Sequence, residues 1–353
     1  MFFDLNIAVC ASTGAPSKKG KEKQSVQTFS NAQIAALEAK IDILVHLGYT
    51  VIAFSQTVHK KVDSKTHCNP LDGLLSQLKP RPGIVFLKRL NVVLDEDSEK
   101  GFGLINANIP LFNSYDLIAL IPTTHATLSA ACLTHSAPSQ LTAHIISLPL
   151  TLPRLPYHLK HTLIRTAIKN GAVFEINYVG ALGGNADPVL VEANAAESGA
   201  SAKKNWWAAA REVVRVTKGK GIIVSSGLVD DVDLRAPRDV GNLITLLGLP
   251  QDAAHDASTR TPKSLVIRAQ TRKTYRAVLS EPTLVIPEGF VADGMDVEEP
   301  ADNSSTVPSK RPREVASSEN GQLQTQAKGG QGESGSKKKR KKGDKSGIGN
   351  IAA

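Results

Sequence analysis

Three cysteines in 353 residues, Cys10, Cys68 and Cys132, form no C-x-x-C pair. That excludes a disulfide scaffold and a zinc ribbon and suits a reducing compartment. No apolar run approaches the roughly 18 residues that a membrane-spanning helix needs, so no membrane partner is expected. MFFDLNIAV lacks the basic flank and cleavage site of a secretory signal and reads instead as a strand. No Gly-rich dinucleotide or P-loop turn follows any apolar segment, and Ser225 and Ser226 lack a G-x-S-x-G elbow and assignable triad partners. His125 and His135 are ten apart, and His158 and His161 three apart. Neither is the i, i+4 pair of a zincin or the H-x-H of a strand-borne metal site. No metal site and no cofactor are expected.

Charge is present but unevenly placed. The formal net charge is +9. From Asn303 onward eleven Lys or Arg face four Asp or Glu, which leaves only +2 for residues 1–302. Nucleic-acid contact by the body must therefore come from local patches. The densest in a single stretch is TRTPKSLVIRAQTRKTYRAVL at 259–279, with Arg260, Lys263, Arg268, Arg272, Lys273 and Arg276 and no acid. In a helix, Arg268, Arg272 and Arg276 fall at i, i+4 and i+8 and form a basic stripe, while Leu265, Ala269 and Val278 turn inward. Arg235 and Arg238, just before the next helix upstream, extend that surface. The competing reading is a solvated helix face, which would ordinarily carry acids as well.

Apolar strands read at 2–9, 49–55, 84–94, 115–122, 143–150, 172–179 and 221–227. Helical segments fall between them, the first opened by a Ser30/Gln33 capping box and closed by Gly48. The others lie around 124–134, 156–170, 200–218 and 236–248. Near-continuous apolar strands alternating with helices imply a parallel sheet. About seven of them in under 300 residues predict an α/β, TIM-barrel-like (β/α) barrel, distorted from the eightfold form, over residues 1–288. A Lys-rich loop at 12–28 interrupts it. Residues 289–353 are too poor in apolar side chains to offset chain entropy and are expected to be disordered. That tail carries Lys337, Lys338, Lys339, Arg340, Lys341 and Lys342, the form of a nuclear import signal.

Asp4, Glu175 and Asn177 are the polar residues placed to face a barrel interior or mouth. Alternation puts Glu175 and Asn177 on one face. Of Lys88 and Arg89 only one can face inward, so one is free to pair with Glu175 and the other to reach a partner. A polar mouth site of Asp4, Arg89, Glu175 and Asn177 is one reading. Buried carboxylates satisfied by an arginine or by backbone donors are the other.

GAVFEINY (171–178), KGKGIIVSSG (218–227), DLRAPRDVGNLITLLGL (233–249) and TRTPKSLVIRAQTRKT (259–274) resemble the thirty-kilodalton protein subunit family of nuclear ribonuclease P and ribonuclease MRP, in its fungal form. LGYTVIAFS (47–55) and LKRLNVVL (87–94) fit the same family in the same order. The resemblance covers about residues 1–285 and implies a TIM-barrel-like fold. It also implies a non-catalytic place in a ribonucleoprotein endoribonuclease whose RNA is catalytic. Partners implied are that RNA, a small RNA-recognition-like protein subunit, other subunits of the particle and, indirectly, precursor tRNA. The implied role is tRNA 5′-leader removal and rRNA precursor processing in the nucleus, in particular the nucleolus. The family's barrel is similar to polymerase-and-histidinol-phosphatase phosphoesterases, whose first strand carries Asp-x-His-x-His. Here that strand reads Asp4-Leu5-Asn6-Ile7-Ala8, with Asn6 and Ala8 in place of histidines. The alternatives are a metal-dependent phosphoesterase on a related barrel or a nuclear scaffold that binds protein only.

Overall fold

The computed structural model describes residues 1–9, 29–59, 62, 67–95 and 103–273. The expected loop at 12–28, the whole stretch after Lys273, Arg276 included, and the expected disordered tail with its basic cluster lie outside the described residues. In chain order the elements are β1 (Phe2–Ala8), α1 (Asn31–Leu47), β2 (Tyr49–His59), α2 (Pro70–Gln77), β3 (Val85–Leu94), α3 (Ile109–Asn113), β4 (Leu117–Pro122) and α4 (His125–Leu133). There follow β5 (Ile145–Ser147), α5 (His161–Lys169), β6 (Val173–Asn177), α6 (Val179–Leu182), α7 (Pro188–Glu192) and α8 (Gly199–Thr217). β7 (Ile222–Ser225), α9 (Pro237–Thr245), α10 (Gln251–Ser258) and α11 (Arg260–Lys273) complete the set. No helix among the described residues is long and apolar enough to cross a membrane.

The strands pair in sequence order, each parallel to the next, in one seven-stranded sheet. Past the end of β7 the chain meets β1 again. Gly227 N–H donates to the Asn6 carbonyl at 2.9 Å, and Ala8 N–H to the Leu228 carbonyl at 3.3 Å. The sheet is thus a nearly closed TIM-barrel-like (β/α) barrel, its seam made by a short irregular bridge. Gly227 sits at φ 64°, and a Cβ there would come within 2.9 Å of Asn177, so glycine lets the seam close.

Local chemistry sets the element ends. Ser30 Oγ accepts from Gln33 N–H at 3.3 Å while the Ser30 N–H donates to Gln33 Oε1 at 2.9 Å. Gly48, at φ 99°, ends α1 in the left-handed region. α5 starts at His161, five residues later than its apolar pattern suggests. Pro153 and Pro156 disfavour helical backbone at the residues before them, Leu152 and Leu155. α2, α7 and α10 are short helices whose few apolar residues carry too little periodicity to stand out in the sequence.

Period-2 alternation sorts the strands into two cores. Outward side chains such as Ile52, Phe54, Leu90, Val92, Phe174 and Val224 pack under the helices. Inward ones, Phe3, Leu5, Val51, Ala53, Leu87, Leu117, Ala119, Ile145, Val173 and Ile223, fill the lower barrel. α11 lies across this lower end and inserts Leu265 and Ala269, both essentially without exposed surface, into the same cluster. Burying one leucine of this kind is worth about 1.5–3 kcal/mol. α11 is therefore the stopper of the barrel.

Candidate functional site

Above the apolar layer the inward positions turn polar. Arg89 and Glu175 meet across the interior, both without exposed surface. Arg89 Nη1 donates to Glu175 Oε1 at 2.5 Å and Nη2 to Oε2 at 2.6 Å. The guanidinium also donates to the Leu5 carbonyl at 2.8 Å and to Asn91 Oδ1 at 2.6 Å. This bidentate geometry ties β3 to β1 and β6 and leaves the carboxylate neutralised. Lys88, pointing outward, pairs with Asp72 at 2.8 Å instead.

One layer higher stand Asn6, Thr57, Asn91, Ser147 and Asn177. They line a cavity of about 50 Å³ at the C-terminal mouth of the barrel together with Ala8 and Gly227. Asn6 Nδ2 donates to Asn177 Oδ1 at 3.2 Å, and Asn177 Nδ2 to Ser147 Oγ at 3.3 Å. A bulge in β1 between Asp4 and Ile7 turns Asn6 and Ala8 toward the mouth. The two positions that differ from Asp-x-His-x-His thus do face the place where such barrels hold their chemistry. The polar groups there are neutral amides and hydroxyls, with one carboxylate, Asp187, in the roof. Among the described residues no group of three His, Cys, Asp or Glu side chains is placed to hold a metal. The connection after β6 roofs the mouth: Thr57 Oγ1 donates to Asp187 Oδ2 at 2.6 Å, and Ala195 packs on Val93 and Ile121. Trp206 Nε1 anchors α8 to the Asn177 carbonyl at 2.7 Å.

Of the four residues expected at the mouth, only Asn177 lines it. Arg89 and Glu175 lie sealed beneath, and Asp4 is elsewhere. Phe3 and Leu5 take the interior positions, so Asp4 points outward, toward the seam between β1 and β7. Its Oδ1 accepts from the N–H groups of Asn6 at 3.2 Å and Ser226 at 3.1 Å, and so replaces part of the missing ladder. Oδ2 is buried with no partner. Burial holds this carboxyl above the usual carboxylate range, against the lowering effect of the bonds from Ser226 and Asn6.

The basic stripe expected on α11 needs the larger correction. Arg272 is 3% exposed, and its Nη2 donates to the carbonyls of Phe112 at 3.2 Å and Tyr115 at 2.9 Å. Burial lowers its pKa to about 10. Arg268 is half-buried against Gly171, its Nε without a partner. Lys273 pairs with Asp116 at 3.1 Å. The cause is the helix's position: Pro262, Leu265, Ala269 and Arg272 recur at spacings of three and four and share the buried face. Arg272 is therefore in line with the stopper's apolar seam. Arg260 and Lys263 remain exposed, as do Arg235 and Arg238 in and after the β7–α9 connection. Arg235 holds two backbone carbonyls, of Val232 and Leu234, at 2.9 and 2.8 Å. Between α11 and β5, burial and then the charges of Arg272 and Arg268 lower the His144 pKa to about 4.

Comparison with known proteins matches this arrangement to a family described as RNase P subunit p30, over residues 1–274. "Probable ribonuclease P protein subunit 3" of Schizosaccharomyces pombe is 27% identical over 281 residues, covering 79% of this chain and 99% of that one. An Arabidopsis thaliana protein, "GAMETOPHYTE DEFECTIVE 1", is 26% identical over 292 residues; the match spans 78% of this chain and 45% of the plant protein. Among solved structures, a chain of an archaeal ribonuclease P bound to mature tRNA superposes with a TM-score of 0.49 at 14% identity. That superposition covers 72% of this chain and 96% of the other. With the family match running from the first barrel strand to one residue past the helix that stoppers it, the chain belongs to the RNase P subunit p30 family.

Proposed function

We propose that the chain is a non-catalytic protein subunit of the RNase P ribonucleoprotein, and that it works by holding RNA and neighbouring subunits in place. The observation that carries this reading is the family match over residues 1–274, which spans the whole described barrel. The barrel mouth is lined by amides, hydroxyls and one carboxylate, Asp187, which already accepts from Thr57, over a Glu175 carboxylate paired with Arg89. In such a subunit the chemistry is charge compensation. Lysines and arginines neutralise phosphates and release counterions, and affinity falls steeply with salt.

The exposed cations Arg235, Arg238, Arg260 and Lys263 are assigned to that contact surface, with Arg268 at its edge and Arg272 removed from it. Service in ribonuclease MRP as well, rRNA precursor processing, nucleolar residence and a small RNA-recognition-like partner subunit extend the proposal. The basic cluster at 337–342 supplies the import signal in that account. Purifying the tagged chain from cells, sequencing the bound RNA and assaying precursor-tRNA cleavage tests the reading. Recovery of one or two abundant structured RNAs with 5′-leader cleavage is the expected result; a complex of proteins alone would overturn it.

A further inference from the structure

From Leu117 to Phe174 the chain contains no aspartate or glutamate, a run of 58 residues that includes five of its nine histidines. Folding places the second half of that run against α8. The two helices enclose a cleft of about 290 Å³ with a floor of Ile164, Ile168 and Val216 and a rim of His161, Arg165, Lys218 and Lys220. A second hollow of about 360 Å³ shares Lys218 and adds Arg211 and Arg215. All six rim residues are exposed. The single acid on α8, Glu212, is occupied by Arg215 at 2.6 Å. None of the ion pairs among the described residues engages Arg165, Arg211, Lys218 or Lys220. Lys218 closes α8 in the left-handed region at φ 55°, which fixes where the rim turns into Lys220 and β7.

This wall thus presents four exposed cations that none of those ion pairs neutralises. Resting on the reading that the chain belongs to an RNA-based particle, we propose that the α5–α8 cleft grips the sugar-phosphate backbone of that particle's RNA. A narrow apolar floor between rows of cations suits ribose faces flanked by phosphates. The lining contains no Phe, Tyr or Trp, and His161 is its one aromatic ring, so contact with the backbone outweighs base stacking and carries little sequence information. A protein interface would be expected to place aromatic residues at its core and to avoid lysine there. The cleft has the opposite composition. Arg268, packed against Gly171 in the turn between α5 and β6, joins this wall to the end of the barrel that α11 covers.

The test uses the full chain and RNase P RNA transcribed in vitro, with binding measured across a salt series. Arg165→Gln, Lys218→Gln and Lys220→Gln together should weaken binding on the order of tenfold near physiological salt. They should also reduce the slope of log affinity against log salt by about two to three, one contact per charge removed. The charge-conserving set Arg165→Lys, Lys218→Arg and Lys220→Arg should keep the wild-type slope. Lys220→Gln alone, at an exposed turn, provides a variant whose folding is not at risk and should lower the slope by about one. If wild type binds but the neutralised variants show its affinity and slope, the cleft assignment is overturned while the subunit reading stands. Loss of a protein subunit from the particle with RNA affinity intact overturns it in favour of an acidic protein face. If wild type itself binds no RNase P RNA, both the assignment and the subunit reading fall.

Discussion

Replacing Glu175 with Gln removes the charge that balances a guanidinium with no exposed surface. Arg89 would keep its bonds to the Leu5 carbonyl and Asn91 Oδ1. It would lose the ionic character of the two bonds that are shortest to charge, at 2.5 and 2.6 Å, and one of its N–H groups would face an amide N–H₂. Breaking one side of a buried ion pair costs about 3–5 kcal/mol, mostly because the other charge is left uncompensated in low dielectric. For a domain of this size that corresponds to a fall in Tm of roughly 10 °C. Replacing both partners, Arg89→Met with Glu175→Leu, removes the charge altogether. What remains is the loss of a donor to Leu5 O and Asn91, about 1–3 kcal/mol. Urea unfolding of Arg89→Met, Glu175→Leu and the double variant closes the cycle, with Glu175→Gln measured beside it. A double variant at least as stable as either single supports the argument. Singles within about 1 kcal/mol of wild type, or costs that simply add, would refute the claim that the pair is a coupled interior strut.

Asp4→Asn keeps an acceptor for the N–H groups of Asn6 and Ser226 and removes a buried charge whose Oδ2 has no partner. The raised pKa means that ionised Asp4 opposes folding as pH climbs above the unfolded value, so Asn should be neutral or stabilising at pH 7. Asp4→Ala should cost about 1–3 kcal/mol in the same unfolding assay, since both donors are orphaned. His144, with a folded pKa near 4 against 6.5 unfolded, contributes stability that is present above pH 6.5 and lost as pH falls toward 4. The loss reaches about 3 kcal/mol, and His144→Gln should flatten that part of the stability-pH curve relative to wild type. Arg272→Ala should destabilise the fold by about 1–3 kcal/mol because the carbonyls of Phe112 and Tyr115 lose their donor. Arg260→Ala and Lys263→Ala, on exposed positions, should stay within about 0.5 kcal/mol, as read by thermal melting.

Much of the barrel was legible in the order of residues. Continuous apolar strands, the Ser30/Gln33 box and Gly48 are local signals, and local physics governs them. The alternation that sets Glu175 and Asn177 on one face also holds, because β6 is regular. β1 is not regular, and its bulge broke the count: Asp4 went to the seam while Asn6 and Ala8 turned to the mouth. Arg272 has the charge of a surface stripe but the spacing of the buried face. Its place three residues after Ala269 and seven after Leu265 was a readable sign that it shares their face. The α5–α8 wall was harder. Its cations come from segments some fifty residues apart, and only tertiary packing brings Arg165 beside Lys218. The missing acids between Leu117 and Phe174 were visible in the sequence, yet an absence spread over 58 residues draws less attention than six charges in twenty-one. Charge patches on a folded body are set by which helices lie side by side.

The central claim, membership of a working RNase P particle, meets its most direct test in the cell. Depleting the chain and measuring tRNA precursors by northern blot or leader-specific sequencing should reveal accumulated 5′-extended precursors, reversed by wild-type chain and poorly by the Arg165, Lys218 and Lys220 neutralised form. Normal 5′-leader removal after complete depletion would contradict the account.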